Sequence, residues 1–296
     1  MGALPEVVWR VVSRAANGRS RSGQDAVRRA VQGKTIMVTG ASFGIGEATA
    51  CRLAEAGATV LLVARTAERL WEVAGRITAQ GGRAFCYPTN LTDGAEVAAL
   101  VKQVLDEHGQ VDVLVNNAGK SIRRSLELSY DRPQDFERTI DINYLGPVRL
   151  TLGLLPAMRG RGAGHIVNVS TAGVHGLPPA PRWSAYQASK AAFDVWMRCM
   201  ALEVRGDGVT ATNVYMGLVH TRMSAPTPGW RRLPGLTPHD AAGVVCDAIV
   251  RRPESMGPWW LPAASAVSTV LSGPTQLLLR TMFRYSQDTP SARGQG

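Results

Sequence analysis

From residue 34 onward the chain alternates short β-branched apolar runs with longer stretches in which apolar positions recur every three to four residues. The short runs predict strands at 35–39, 59–64, 83–87, 111–115, 165–169 and 209–215, and the longer stretches predict helices at 44–56, 67–80 and 93–108. Strand and helix alternating at this spacing imply a parallel sheet whose right-handed crossovers put helices on both faces. The expected architecture is a single doubly wound α/β domain over residues 33–255, with no internal repeat.

Two stretches interrupt the pattern. Residues 217–236, rich in Pro, Gly and Thr and carrying Trp230, follow directly on a predicted strand. Ligands bind beyond the carboxyl ends of strands in such sheets, so a long loop there reads as a substrate lid, the plain alternative being a surface insertion. Residues 255–279 carry no charged side chain and include Trp259 and Trp260. Charge absence over that length suggests a membrane span. Pro258, Pro262, Gly273, Pro274 and several Ser, Thr and Gln residues favour a packed or membrane-surface helix pair instead, and Arg280, Arg284 and Arg293 then suit an anionic lipid surface. Residues 256–296 are accordingly read as an apolar C-terminal extension.

Composition narrows the function classes. The 296 residues are 45% hydrophobic and 19% charged, ordinary for a globular protein, with a net charge of +10. Half of that excess sits in residues 1–34, where Arg10, Arg14, Arg19, Arg21, Arg28, Arg29 and Lys34 face only Glu6 and Asp25. Residues 1–32 are read as a basic N-terminal arm, either a solvated terminus or a contact to an anionic membrane. Nucleic acid is not an expected partner, since no binding motif accompanies the charge. Cys51, Cys86, Cys199 and Cys246 lie far apart without a CxxC pair, which fits a reducing compartment and argues against disulfides or zinc. The five histidines show no metal spacing. The apolar stretch 7–12 is short and interrupted by Arg10, unlike a secretory signal. A cytoplasmic protein is expected, with peripheral membrane association left open.

Three local patterns carry candidate chemistry. The first strand ends in Thr39-Gly40-Ala41-Ser42-Phe43-Gly44-Ile45-Gly46, and glycines between a strand and a helix let the backbone approach a pyrophosphate at the helix N-terminus. The second strand ends in Ala64-Arg65. With no carboxylate there for a ribose 2′-hydroxyl, a guanidinium (and the Ser42 hydroxyl) fits a 2′-phosphate, so NADP(H) is expected over NAD(H). Tyr186 and Lys190 lie one helical turn apart. A lysine that close is expected to lower the phenol pKa from about 10 toward neutrality and make it a usable proton donor and acceptor. Taken alone, the pair is also an ordinary solvated helix face.

Together, Thr39-Gly40-x-x-x-Gly44-x-Gly46, Asn116-Asn117-Ala118-Gly119, Asn143, Ser170 and Tyr186-x-x-x-Lys190 resemble the short-chain dehydrogenase/reductase family in its classical form, over about residues 33–255. The resemblance implies a Rossmann-type fold and a catalytic set of Asn143, Ser170, Tyr186 and Lys190. In it, Tyr186 gives a proton to the carbonyl oxygen while hydride reaches carbon, and Lys190 holds the nicotinamide ribose and lowers the Tyr186 pKa. Ser170 fixes the substrate oxygen, and Asn143 anchors a water that relays protons from Lys190 to solvent. It further implies cofactor contacts at Gly40, Ser42, Phe43, Gly44, Ile45, Gly46, Arg65, Asn90, Leu91, Asn117, Ala118, Gly119, Gly217, Val219 and Thr221, and a homodimer or homotetramer. Three positions depart from the family. Asn90 stands where an aspartate is frequent, Met216 replaces a proline before Gly217, and the interval from Ser170 to Tyr186 is longer than usual, the surplus falling in the Pro-rich loop 177–182. His175 is expected on the loop surface, the alternative being a contact to substrate, and Cys199 in the core. The implied function is an NADP(H)-dependent oxidoreductase acting on a hydrophobic, lipid-like carbonyl or alcohol. A catalytically silent NADP-binding scaffold and a protein that is chiefly membrane-surface are the alternatives.

Overall fold

The computed structural model describes residues 12–14, 17, 20–175, 179–227 and 229–293. In chain order the principal elements are α1 (Gln24–Val31), β1 (Thr35–Thr39), α2 (Gly44–Glu55), β2 (Thr59–Ala64), α3 (Ala67–Ala79), β3 (Arg83–Pro88), α4 (Gly94–His108) and β4 (Val113–Asn116). They continue with α5 (Gln134–Ile140), α6 (Gly146–Arg161), β5 (Gly164–Thr171), α7 (Ser184–Val204), β6 (Val209–Met216), α8 (Pro238–Arg251), β7 (Ser255–Met256), α9 (Leu261–Val270) and α10 (Ser272–Tyr285). The strands form one seven-stranded sheet in the order β3-β2-β1-β4-β5-β6-β7, parallel throughout. This is the expected doubly wound fold.

Side chains alternate between two cores because successive residues of a strand point to opposite faces. Ile36 and Val38 of β1, with Val60 and Leu62 of β2, pack beneath α1, α2, α3 and α8. Met37, Leu61 and Val63 pack on the other side against α4, α6 and α7, where Phe193 and Met197 are buried. Strands buried on both faces carry apolar residues at consecutive positions, which is why β1 and β2 fall where the pattern puts them. The sheet grows in one direction from β1 through β2 and in the other through β4, so connections leave the carboxyl ends of β1 and β4 in opposite directions. That divergence opens the crevice where ligands bind in such folds.

Several expectations shift. Pairing of β4 with β1 begins at Val113, opposite Ile36; Asp112 before it takes the Thr35 amide on its carboxylate, at 2.8 Å. β5 runs on through Ser170 and Thr171, paired with Tyr215 and Met216. The charge-free stretch starts as an edge strand, β7, against Asn213 and Val214.

The presumed arm is in part built into the domain. Val27 and Val31, one turn apart on α1, are buried in the core under α8, and the amides of Arg21 and Ser22 donate to the Asp247 carboxylate at 3.0 and 2.7 Å. Residues 1–11 lie outside the described residues. The C-terminal extension is a helix pair, as expected, but it is barely packed. Leu261 joins Tyr215 and Ala172 in a small cluster, whereas α10 buries no residue. Among the described residues no helix is long and apolar enough to cross a membrane.

Candidate active site

The turn after β1 is shaped by glycine. Gly40 and Gly44 have φ of +65° and +61°, conformations that a side chain resists. A Cβ on Gly46 would collide with the Gly40 carbonyl, so the turn closes onto the N-terminus of α2 only because that atom is missing. Thr39 ties this turn to the one after β4. Its hydroxyl accepts from the amides of Asn117 and Ala118 at 2.9 and 3.0 Å and donates to Val115 O at 3.2 Å. The Asn117 amide group donates to Thr39 O at 2.9 Å. Gly119 closes the crevice, since a Cβ there would stand 2.9 Å from Asn143 Oδ1 and 3.4 Å from Lys190 Nζ. Backbone amides at a helix N-terminus, in a cradle that a single Cβ would fill, fit a dinucleotide pyrophosphate.

The remaining candidate cofactor residues distribute unevenly. Ser42, Phe43 and Ile45 line the turn, half-buried. Arg65 is exposed at the end of β2, and the guanidiniums of Arg222 and Arg69 lie 4.3 and 5.4 Å from the Phe43 ring centroid. Asn90 uses Oδ1 to accept from Thr92 at 2.9 Å, and Leu91 beside it is buried. Thr221 stands at Gly44, 3.3 Å from where a Cβ would be. Gly217 instead packs against Asn17, and Val219 is buried in the core, bridged to Leu236. An open groove of about 740 Å³ between α2 and α3 is lined by Ser42, Phe43, Arg69 and Arg76 among others; Ser170, Tyr186 and Lys190 do not line it.

The four catalytic candidates converge beside the turn. β5 carries Ser170, whose Oγ is buried and has no hydrogen-bond partner among the described residues. Its neighbour on one side, Thr171, hydrogen-bonds the Tyr186 phenol. Its neighbour on the other, Val169, accepts from Lys190 Nζ at 3.0 Å. Asn143 sits in a π-helical turn, Asp141–Leu145, an irregularity frequent at functional sites. Its side chain accepts from Lys120 N at 2.9 Å and donates to Lys120 O at 2.8 Å and to Ser189 Oγ at 2.9 Å. The side chain therefore braces the loop after β4, and Oδ1 accepts one hydrogen bond with a second lone pair left over. Ser189 in turn donates to Tyr186 O at 2.8 Å.

The expected drop in the Tyr186 pKa is not found. Burial pushes the phenol up to about 12, opposed only in part by the Thr171 hydrogen bond. Burial also lowers Lys190 to about 8. Desolvation disfavours both charged forms, and the ammonium is aimed at the Val169 carbonyl. Tyr186 is thus protonated at neutral pH.

The loop 217–236 roofs this site. Trp230 stacks on Trp183, with ring centroids 5.2 Å apart and 14° between planes, and Trp183 meets Tyr186 edge-on at 5.9 Å. The loop is zipped at its base, where Leu236 N donates to Leu218 O at 2.8 Å and His220 N to Leu236 O at 2.9 Å. Asn17 clamps the same two ends. It accepts from Leu218 N at 2.8 Å and donates to Pro234 O at 2.9 Å. Beyond α10 the chain folds back beside the entrance, where Arg182 donates to Ser286 O at 2.8 Å and pairs with Asp288 at 3.3 Å. Residues 177 and 178 of the Pro-rich loop 177–182 lie outside the described residues.

His175 is half-buried and packs on Tyr215, centroids 4.3 Å apart, so it is not a free loop side chain. Cys199 is exposed, contrary to expectation. Phe193, Met197, Met200 and Val204 make the inward stripe of α7, and position 199 falls off it. Among the described residues no cluster of His, Cys, Asp and Glu could hold a metal ion. Thr39, Thr171, Ser189, Trp183, Arg222 and Asn17 all shape the site without having been assigned a role from sequence. Thr39 and Ser189 stand inside the recognised motifs, whereas Asn17 has no local signal at all.

Comparison with known proteins finds relatives of this chain. The profile of the short chain dehydrogenase family matches residues 34–232. An uncharacterised oxidoreductase of Mycobacterium tuberculosis is 47% identical over 268 residues, covering 90% of this chain and 78% of that protein. A fatty acyl-CoA reductase of Acinetobacter baylyi is 44% identical over 268 residues, 90% of each chain. A metagenomic short-chain oxidoreductase solved in complex with NADP superposes with a TM-score of 0.65 at 33% identity, covering 77% of this chain and 95% of the other.

Proposed function

The chain belongs to the short-chain dehydrogenase family, and on that premise we propose that it is an NADP(H)-dependent oxidoreductase acting on the carbonyl or alcohol carbon of a hydrophobic, lipid-like substrate. The observation that carries this reading is Ser170, a buried hydroxyl without a partner among the described residues, set between the residue that holds Tyr186 and the residue that holds Lys190. A buried polar group left unpaired is costly, and a substrate oxygen would satisfy it.

Gly40, Ser42, Phe43, Gly44, Ile45 and Gly46 would hold the pyrophosphate side of the dinucleotide, with Asn90 and Leu91 beyond β3. Asn117, Ala118, Gly119, Thr221 and Lys190 would border its nicotinamide half. Bound there, the dinucleotide supplies or accepts the hydride. Tyr186, protonated at neutral pH, donates its proton to the substrate oxygen in the reducing direction. Ser170 donates a hydrogen bond to the same oxygen and fixes it. The Lys190 ammonium, one turn away, is the positive charge that favours the phenolate left behind. Asn143 acts as a positioning residue, holding Lys120 and, through Ser189, the backbone of Tyr186. Arg65 at the end of β2, with Arg69 and Arg222 beside Phe43, would support the phosphorylated cofactor.

Two things support a lipid-like substrate: the Trp183–Trp230 wall over Tyr186, and the Acinetobacter baylyi relative named a fatty acyl-CoA reductase. Assembly as a homodimer or homotetramer belongs to the same reading. The test is loss of NADPH absorbance with a panel of long-chain acyl-CoA, long-chain aldehyde and steroid ketone. Turnover of at least one is expected, with kcat about 10²–10⁴-fold lower in Tyr186→Phe. A protein that binds NADPH and reduces none of them is a silent scaffold, and the reading fails.

A further inference from the structure

The helix pair α9–α10 presents an apolar surface that core packing does not use. Trp259, Val270, Leu277 and Tyr285 are 76%, 80%, 66% and 87% exposed, and Leu271, Leu278 and Met282 beside them are at least half exposed. Single exposed apolar side chains are ordinary, but a contiguous band marks an interaction surface. Its charge pattern identifies the partner. From residue 255 to residue 287 the only charged side chains are Arg280 and Arg284. The next acid, Asp288, is already held by the Ser125 amide at 2.9 Å and by Arg182. Steps of 100° per residue align Leu278, Met282 and Tyr285 along one side of α10, and put Arg280 and Arg284 together on the opposite side, beside Leu277. An apolar side backed by a polar side whose only charges are cations complements an anionic lipid interface. The helices run about 15 and 21 Å and break at Leu271, too short for a hydrocarbon core of about 30 Å. They suit lying in its boundary.

We propose that α9–α10 docks this protein on an anionic membrane surface, the apolar side in the headgroup–acyl boundary and the two arginines among the headgroups. The docked face adjoins the entrance to the site. Arg182 lies 4.3 Å from the Phe283 ring centroid and holds Ser286, and the next residue, Trp183, touches Tyr186. An apolar molecule leaving the leaflet therefore meets the entrance at the docked face. Docking itself does not depend on the oxidoreductase reading and is measured without turnover.

The experiment is sedimentation of the full-length protein with vesicles of pure phosphatidylcholine and of phosphatidylcholine with one quarter phosphatidylglycerol. Binding to the anionic vesicles is expected, falling with salt and at least tenfold weaker on the neutral ones. Arg280→Gln/Arg284→Gln lowers it about 25-fold, from about fivefold per arginine. Leu278→Gln/Met282→Gln abolishes it, while thermal melting stays that of the wild type because both side chains are exposed. Deleting residues 1–11 leaves it unchanged. No sedimentation with anionic vesicles overturns the proposal. So does undiminished binding by Leu278→Gln/Met282→Gln, whether or not light scattering then shows a smaller oligomer; a smaller oligomer would mean that a second copy of the chain covers this face.

Discussion

Asn17 holds the loop 217–236 from a segment outside it, by hydrogen bonds to both of its ends. It is buried and makes three hydrogen bonds, to Leu218 N, Pro234 O and Ser13 O. Asn17→Ala removes both bonds that join the two ends of the loop 217–236. At about 1 kcal/mol net per bond, plus a share for amide and carbonyl groups left without partners, the loop base loses roughly 2–3 kcal/mol. The population of the opened loop then rises about 30- to 150-fold. The loop stays attached through the Leu218–Leu236 and His220–Leu236 backbone bonds, so the change is local opening and not global unfolding. Hydrogen exchange followed by mass spectrometry reads it directly. Peptides spanning 217–236 should exchange one to two orders of magnitude faster, with peptides from β1 and β5 unchanged. Arg14→Ala is the control, since Arg14 grips Asp240 at the start of α8 at 3.0 Å and is not part of the clamp. Unaltered exchange in 217–236, or equal acceleration across β1 and β5, refutes the clamp.

Two further outcomes follow from the site. Lys190 has a folded pKa of about 8 against 10.5 for the free side chain, so between those values the unfolded chain binds more protons and folding becomes more favourable as pH rises. Relative to Lys190→Met, the cofactor-free wild type should gain up to about 3 kcal/mol in urea unfolding between pH 7 and 10. Above pH 10 the raised Tyr186 pKa works the other way, since the folded chain then holds the extra proton. A wild-type-minus-variant difference that stays flat over pH 7–10 would contradict a buried ammonium. Separately, Arg65→Ala and Arg222→Ala should each lower the NADPH-over-NADH preference in kcat/KM about tenfold, as for one charge-assisted contact worth about 1.5 kcal/mol; an unchanged ratio in both would remove the guanidiniums from 2′-phosphate recognition.

The fold was legible because its determinants are local. Consecutive apolar residues such as Val60–Val63 are dictated by burial on both faces, and the glycine turn follows from a helix starting where a strand stops. Ser170, Tyr186 and Lys190 were legible for the same reason, each standing within a few residues of a recognisable pattern. The Tyr186 pKa was not. Spacing along a helix gives the distance between phenol and ammonium, but the shift depends on how far both are removed from water and on what the ammonium faces. Here it faces Val169 O, a partner on another element, and burial outweighs the attraction that spacing suggested.

The same distinction explains the two termini. The arm was read from its charge, yet its fate is set by Val27, Val31 and Asn17. The two valines sit at i and i+4, a weak signal in eight residues, and Asn17 finds partners about 200 positions away. Its bonds to the loop are both long-range, and such bonds leave no periodicity to detect. The C-terminal helices present the converse case. Their lack of charge was visible in sequence, and packing alone could have absorbed it into the core. The structure leaves that apolar face outside, while Arg123 and Arg182 fasten the chain just beyond it to the entrance. A face kept apolar, kept free of acids and tied to the mouth of the site is hard to account for as leftover surface. It is the arrangement expected if the substrate is drawn from the same lipid phase that the helices contact.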